Sequence, residues 1–253
     1  MENFSKEFKT QFEENTNKSD QKCEIHDRYK IVIKATGHIE CIDCFKERIQ
    51  RESELLARKS YEKERQKQIE FYLNKLSSLN EELREASFEN FIVGSKNEKE
   101  KLDFARGIAK EYKNGSNNNV VFKGGVGVGK SHLAHAILKE LSVDQKEVCI
   151  FVNIVDLMSK VNFDNRDTFI EKITEAKYCV LDDLGSEMAN SFSENMIYEI
   201  LDKRSRTIIT TNLTGNDIIE KYGKRVYSRI MKGVDDKHFM SFEDLKDKRR
   251  MLF

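Results

Sequence analysis

The sequence has no proline and no tryptophan. It also has no excess of either charge: 44 basic residues stand against 44 acidic ones. A neutral chain advertises no global affinity for nucleic acid, so any such binding must come from local patches. No apolar run approaches the roughly 20 residues that crossing a bilayer requires, and the start carries no secretory leader pattern. The expectation is a soluble, cytoplasmic protein with no membrane attachment. Cysteine is scarce and odd in number: Cys23, Cys41, Cys44, Cys149 and Cys179. That argues against a disulfide framework. Cys149 and Cys179 fall in apolar runs and are expected as small core residues. The missing proline has no physical explanation in the sequence.

What is present is most specific between Asn119 and Leu133. Val120 to Phe122 suits a buried strand. The next eight residues, Gly124-Gly125-Val126-Gly127-Val128-Gly129-Lys130-Ser131, match the G-x-x-x-x-G-K-[ST] phosphate loop, and His132 follows. Leu133, Ala134, Ile137, Leu138 and Leu141 then recur at helical spacing. This is the order the chemistry needs. Glycines let backbone N–H groups converge on phosphate oxygens, and the new helix aims its positive end at the same place. Lys130 adds a point charge for the β and γ phosphates, and Ser131 a hydroxyl for Mg²⁺.

A second acid-bearing element lies 52 residues beyond Lys130. Tyr178-Cys179-Val180-Leu181 reads as a buried strand ending in Asp182-Asp183. Asp182 is expected to hold Mg²⁺ and Asp183 to orient an attacking water; the bland alternative is a capped strand end. A further strand, Thr207 to Thr211, ends in Asn212, within reach of the attacking water or γ-phosphate. Val148 to Val152 and His238 to Phe242 complete the expected strands. Thr214–Tyr222 and Lys224–Met231 read as two short helices, and Arg225 and Arg229 on the second share a face. Between Lys221 and Arg250, ten basic residues face five acidic ones, a local excess of about five charges in a neutral chain.

The amino-terminal part has another chemistry. Cys23-x2-His26 and Cys41-x2-Cys44 form two knuckles separated by fourteen residues. Three sulfurs and one imidazole make a closed tetrahedral zinc set, structural rather than catalytic. Tyr29, Ile31 and Ile33 alternate before a Thr36-Gly37 turn, which fits a hairpin. About fifty residues bury little core, so metal would supply the folding energy. His38 is the weaker alternative ligand. Phe4, Phe8 and Phe12 make an aromatic stripe if helical, either docked on the next module or binding a partner. Asn17-Lys18-Ser19-Asp20 matches a guanine-binding box, but it precedes the phosphate loop and follows no apolar strand. It is read as chance. Phe45 to Ala86 lacks glycine and proline and favours helix. Ser87 to Phe91 then leads into a helix with Leu102, Ala105, Ile108, Ala109 and Tyr112 on one face.

Phosphate loop, acid-tipped strand, Asn-tipped strand and paired arginines come in an order that resembles the AAA+ ATPases. Val155-Asp156-Leu157-Met158-Ser159, Leu181-Asp182-Asp183-Leu184-Gly185, Asp202-Lys203-Arg204-Ser205 and Arg225-Val226-Tyr227-Ser228-Arg229 resemble, more narrowly, the DnaC/DnaI-type helicase loaders. The zinc knuckles are similar to those of DnaI-type and phage loaders. The resemblance implies an α/β fold: a P-loop AAA+ core with a parallel sheet flanked by helices and no separate helical lid. A zinc-binding, helicase-interacting module (1–50) and a helical linker (51–86) would precede the ATPase domain (87–253). It implies ATP, Mg²⁺ and Zn²⁺ as cofactors. Lys130 and Ser131 become Walker A, Asp182 and Asp183 Walker B, and Asn212 sensor 1. Arg229, with Arg225 second, becomes the arginine finger toward a neighbouring copy. Expected partners are the hexameric replicative helicase, single-stranded DNA and the chain itself. Only 41 residues follow Asn212, too few for a separate lid, so Arg249 and Arg250 receive no sensor role. Asp183 stands where most AAA+ proteins carry Glu, so hydrolysis is expected to be slow, a switch more than a motor.

Three rivals share parts of this pattern. A transposition helper ATPase of the IstB type has the same core and a transposase partner. A small-molecule P-loop kinase has no use for a zinc module or late paired arginines. A zinc adaptor with a dead ATPase disagrees with intact Lys130, Ser131 and Asp182.

Overall fold

A computed structural model describes residues 14–144, 146–188 and 190–248. The Phe4, Phe8 and Phe12 stripe lies outside the described residues, as do Arg249 and Arg250. The chain divides into two compact units, Met1–Glu64 and Arg65–Phe253.

The first unit is an antiparallel sheet of β1 (Thr16–Lys22), β2 (Tyr29–Ile33) and β3 (Ile39–Glu40), in that order. The expected hairpin is β2–β3, turned at Gly37 with φ +68°. β1 is an addition: the guanine-box look-alike is a polar edge strand, with Thr16 opposite Ile33. Its side chains show no apolar alternation, so only the cross-strand pairing reveals it. Helix α1 (Ile42–Phe71) begins in this unit, where its outer turns carry i,i+4 ion pairs such as Arg58–Glu62. Among the unit's described residues only Cys23 and Cys41 are buried.

The last turns of α1 belong to the second unit. There Ile69 is buried, and a π-turn over Tyr72–Leu76 buries Tyr72, whose hydroxyl donates to Glu175. The helix expected to continue through Ala86 stops here. Ser77 and Ser78 are taken up by the sheet edge: Phe151 N–H donates to Ser77 Oγ (2.9 Å), and Ser78 N–H donates to the Phe151 carbonyl (2.8 Å). This caps an edge strand that would otherwise present bare backbone. A short α2 (Glu81–Glu85) follows, capped by Asn80.

The main sheet is wholly parallel, with strand order β5-β6-β7-β4-β8. Its strands are β4 (Val120–Lys123), β5 (Cys149–Asn153), β6 (Tyr178–Leu184), β7 (Thr207–Thr211) and β8 (Phe239–Ser241). All five were expected, β4 to β7 as apolar or β-branched runs, as strands buried on both faces should be. Alternation divides the core: Tyr178 and Val180 face one layer, Cys179 and Leu181 the other. The first layer packs on α3 (Lys96–Lys113) and α4 (Lys130–Asp144). The second packs on α5 (Ile154–Lys160), α6 (Arg166–Glu175), α7 (Ser191–Asp202) and α8 (Gly215–Ile230). α6 adds to the expected elements. The carbonyls of Ile173 in its last turn and of Ala176 just past its end accept hydrogen bonds from buried Arg204. Within α8, Gly223 (φ +77°, ψ 166°) breaks the helix into the two arms expected from sequence. No separate helical lid follows among the described residues, and none of their helices is long and apolar enough to cross a membrane.

β8 closes the sheet beside β4, and Phe242 just beyond it is fully buried. Its N–H donates to the Lys123 carbonyl (2.7 Å) and its ring lies 5.4 Å from that of Phe122. Truncation leaves a cavity beside the strand that delivers the phosphate loop. Phe242→Ala is therefore expected to destabilise the second unit by about 3–5 kcal/mol, seen as a lower midpoint in denaturant with an unchanged slope.

Candidate functional site

The phosphate loop leaves β4 and enters α4 with Gly127 and Gly129 in left-handed backbone, which an L side chain rarely adopts. Gly129 (φ +94°) also meets a neighbour: a Cβ there would lie 2.8 Å from the Phe91 ring. Lys130 is buried and turned back into the loop. Its Nζ donates to the Gly124 carbonyl (2.9 Å), the Gly125 carbonyl (2.6 Å) and Asn212 Oδ1 (2.9 Å). The expected phosphate lysine and the expected strand-tip amide are thus brought together from β4–α4 and β7.

Ser131 Oγ donates to Asp182 Oδ1 (2.7 Å), and Thr210 Oγ1 donates to the same oxygen (2.7 Å). Asp182 is buried. Burial raises its pKa above the ordinary carboxylate value, with the neighbouring charge of Asp183 adding to the rise. Hydrogen bonds from Ser131, Thr210 and Asn153 oppose it. A buried carboxylate beside a hydroxyl is a donor set that fits a small hard cation such as Mg²⁺. Asp183 has φ +55° at a bulge where the β6–β7 register shifts between Leu181 and Leu184. Its N–H donates to Thr210 Oγ1 (2.9 Å). Thr210 and Asn153 are site residues beyond those expected; the only sequence signal was their place at strand ends beside the acids.

Other expected residues stand elsewhere. His132 Nε2 meets the Ser87 carbonyl (2.9 Å), and its ring packs edge-on against Phe91 (5.3 Å). It holds the segment before α3 against the loop. That segment forms the site's outer edge: Lys248 Nζ donates to the Ile92 carbonyl (2.6 Å), Lys248 N–H donates to the Gly127 carbonyl (3.1 Å), and the Ile92 side chain is 77% exposed. An apolar edge tied to a phosphate loop suits the flat face of a nucleobase. Phe91, Ile92 and Lys248 were legible only as a helix lead-in and a basic tail. Arg225 and Arg229 lie against α7: their guanidinium groups stand 4.2 Å and 5.7 Å from the Tyr198 ring centre, and Arg229 Nε donates to Asp202 (2.5 Å).

In the first unit Cys23, His26, Cys41 and Cys44 place their ligand atoms within 4.8 Å of one another. The His26 Nδ1 to sulfur distances are 3.8, 3.8 and 3.4 Å, and Cys23 and Cys44 sulfurs are 3.6 Å apart. A zinc ion with bonds of about 2.0–2.3 Å in a tetrahedron needs such edges. The knuckles begin where β1 and β3 end, and Cys44 sits in the first turn of α1. Backbone N–H groups of His26 and Ile25 pull Cys23 down to about 6, whereas burial and the neighbouring thiols push Cys44 up to about 11. Three sulfurs and one imidazole at this spacing are the donor set zinc takes. His26 Nε2 faces Glu47 (3.1 Å), a carboxylate that would orient the ring toward metal. His38 is apart, exposed beside Glu40.

With this geometry in view, comparison with known proteins is informative. Residues 48–230 match the family described as IstB-like ATP binding protein. Over 151 residues the chain is 31% identical to the replicative helicase loader DnaC of Escherichia coli (strain K12); the match covers 57% of this chain and 61% of that protein. It is similar in fold to the crystal structure of a DnaC helicase loader (TM-score 0.55, 23% identity, 64% of this chain and 99% of that one). The DnaI crystal structure is similar too (TM-score 0.54, 20% identity, 66% and 95%).

The metal cluster generates its own test. The purified chain is expected to carry about one zinc per chain. Cys41→Ser should lose it, and chelation should speed amide exchange through residues 14–64 while exchange in the five-stranded sheet stays slow.

Proposed function

The chain belongs to the IstB-like ATP binding protein family, of AAA+ type, and on that premise we propose that it is an ATP-dependent loader of the replicative DNA helicase. The observation that carries the ATPase half is the convergence at the phosphate loop: Lys130 on Asn212, and Ser131 on Asp182. The loop amides from Gly125 to Ser131 and the Lys130 ammonium bind the β and γ phosphates of ATP. Mg²⁺, held through Ser131 and Asp182, would neutralise charge on those oxygens. Asp183 orients the attacking water, and Asn212 reports on the γ-phosphate through its bond to Lys130. Arg229, with Arg225 behind it, reaches the nucleotide of a neighbouring copy, so ATP promotes self-association. Both arginines rest against α7 in their own chain, so in this reading Arg229 exchanges Asp202 for the neighbour's phosphate.

The helicase half rests on likeness to DnaC, of whose length the match spans 61%, and on the first unit. A metal-stapled unit with almost no core of its own is suited to docking. It binds the hexameric helicase in this reading, and the ATPase unit touches single-stranded DNA. One exposed ring supports the DNA contact: Phe163 is 85% exposed, and its ring lies 5.0 Å from that of half-buried Phe192 beside Arg166. Stacking of bases on such rings is independent of sequence. The family name favours a second reading, a helper ATPase whose partner is a transposase.

Two measurements test the proposal. Mixed with the replicative helicase of the same cell, the full chain should co-migrate on sizing in the presence of ATP. Residues 51–253 should not. Co-migration with a transposase instead of any helicase would replace the loader with the helper. Turnover is the second measurement. Slow hydrolysis is assigned to the short Asp183 side chain, so Asp183→Glu should raise turnover several-fold even as its left-handed backbone costs about 1 kcal/mol of stability. An unchanged or lower rate in a folded variant removes the switch argument.

A further inference from the structure

Behind the Walker B acids lies a buried polar cluster that nucleotide binding does not use. Gly185, two residues after Asp183, donates its N–H to Glu187 Oε2 (3.1 Å). The Glu187 side chain is 1% exposed. Its other oxygen accepts the hydroxyl of Tyr222. Lys221 Nζ donates to the carbonyls of Gly185 and Glu187, each at 2.6 Å, and stands 3.8 Å from Glu187 Oε1. Two successive residues at the end of the first arm of α8 therefore grip the loop that follows the acids. The next residue is Gly223, whose φ of +77° starts a new direction. The second arm carries Arg225 and Arg229.

We propose that Glu187 and Tyr222 are positioning residues: a buried latch that fixes the arginine arm to the Walker B loop, so that the acids of one nucleotide site and the arginines offered to the next move as one piece. The inference rests on the reading of Arg225 and Arg229 as acting on a neighbouring copy's nucleotide. The physical case is one of alternatives. A buried carboxylate with a phenol and an ammonium is a weak way to gain stability, since apolar packing of equal volume does as well or better. What such a cluster adds is register, because its directional bonds are satisfied in one arrangement only. Here that arrangement sets where α8 resumes after Gly223. Burial and the Glu187 carboxylate together raise the Tyr222 pKa far above the ordinary phenol value, so the hydroxyl stays a donor at any working pH.

The test is a double-mutant cycle on ATP turnover by the full chain at concentrations where it self-associates. Tyr222→Phe keeps the ring and removes the bond. It should lower kcat roughly tenfold to a hundredfold, the scale of a small misplacement of a reacting group, and leave KM for ATP within about twofold. The combined Arg225→Ala and Arg229→Ala variant should fall at least as far. Adding Tyr222→Phe to it should cost nothing more, because the latch acts only through the arginines. Glu187→Gln, which retains an acceptor for Tyr222, should give a smaller loss in the same direction. It carries the test if Tyr222→Phe fails to fold by its melting curve. A further loss in the arginine-free background, or no loss of kcat in a folded latch variant, overturns the latch alone. Full turnover without the two arginines overturns the arginine reading, and the latch with it.

Discussion

One buried carboxylate organises the second unit. Asp182 takes a hydroxyl from Ser131 at the start of α4 and another from Thr210 on β7, while its own backbone lies in β6. Three elements far apart in sequence are thereby tied at a single oxygen. The cost of that burial is visible in the raised pKa, caused first by desolvation and then by Asp183. Such a group is stable in a fold only if its hydrogen bonds are satisfied, and it stays charged at neutral pH most easily with a cation near by. The demand for positive charge at the strand tips is thus built into the sheet. Lys130, closed onto the loop carbonyls and Asn212, keeps a buried ammonium at the same end.

The first unit meets the opposite problem. It has almost no apolar core, and its two buried described residues are ligand cysteines. With so little core, a metal held by these ligands would supply folding energy that packing does not. In one unit oxygen donors gather around a phosphate site; in the other sulfur and nitrogen donors replace a core. Ligand softness separates the two, with magnesium suited to the first set and zinc to the second.

Much of this could be read from residues alone, for reasons that differ by element. A parallel sheet covered on both faces demands apolar runs, so β4, β5, β6 and β7 announced themselves. Phosphate-loop glycines and the Asp182-Asp183 tip are short motifs whose chemistry tolerates few other residues. The break at Gly223 was visible because no other residue accepts that backbone so readily. β1 was not visible, since a polar edge strand owes its conformation to its neighbour. Nor was the stop at Ser77, where a chain of good helix formers yields to hydrogen bonds with β5. The packing of Phe91 against Gly129 and His132 escaped because an ordinary apolar residue carries no motif of its own.

The residue type at position 183 follows from the same geometry. The β6 bulge realigns the strand so that Leu184 pairs with Thr211, and it does so by placing Asp183 at φ +55°. Among non-glycine residues, Asp and Asn tolerate this region best, because a short polar side chain can bond locally. Thr210 reinforces the bulge by accepting the Asp183 N–H while donating to Asp182. A longer acid would keep the charge but give up some of that conformational ease. The departure from Glu is then a consequence of backbone as much as of catalysis: the strand tip that presents Asp182 to Ser131 is more easily made with Asp beside it.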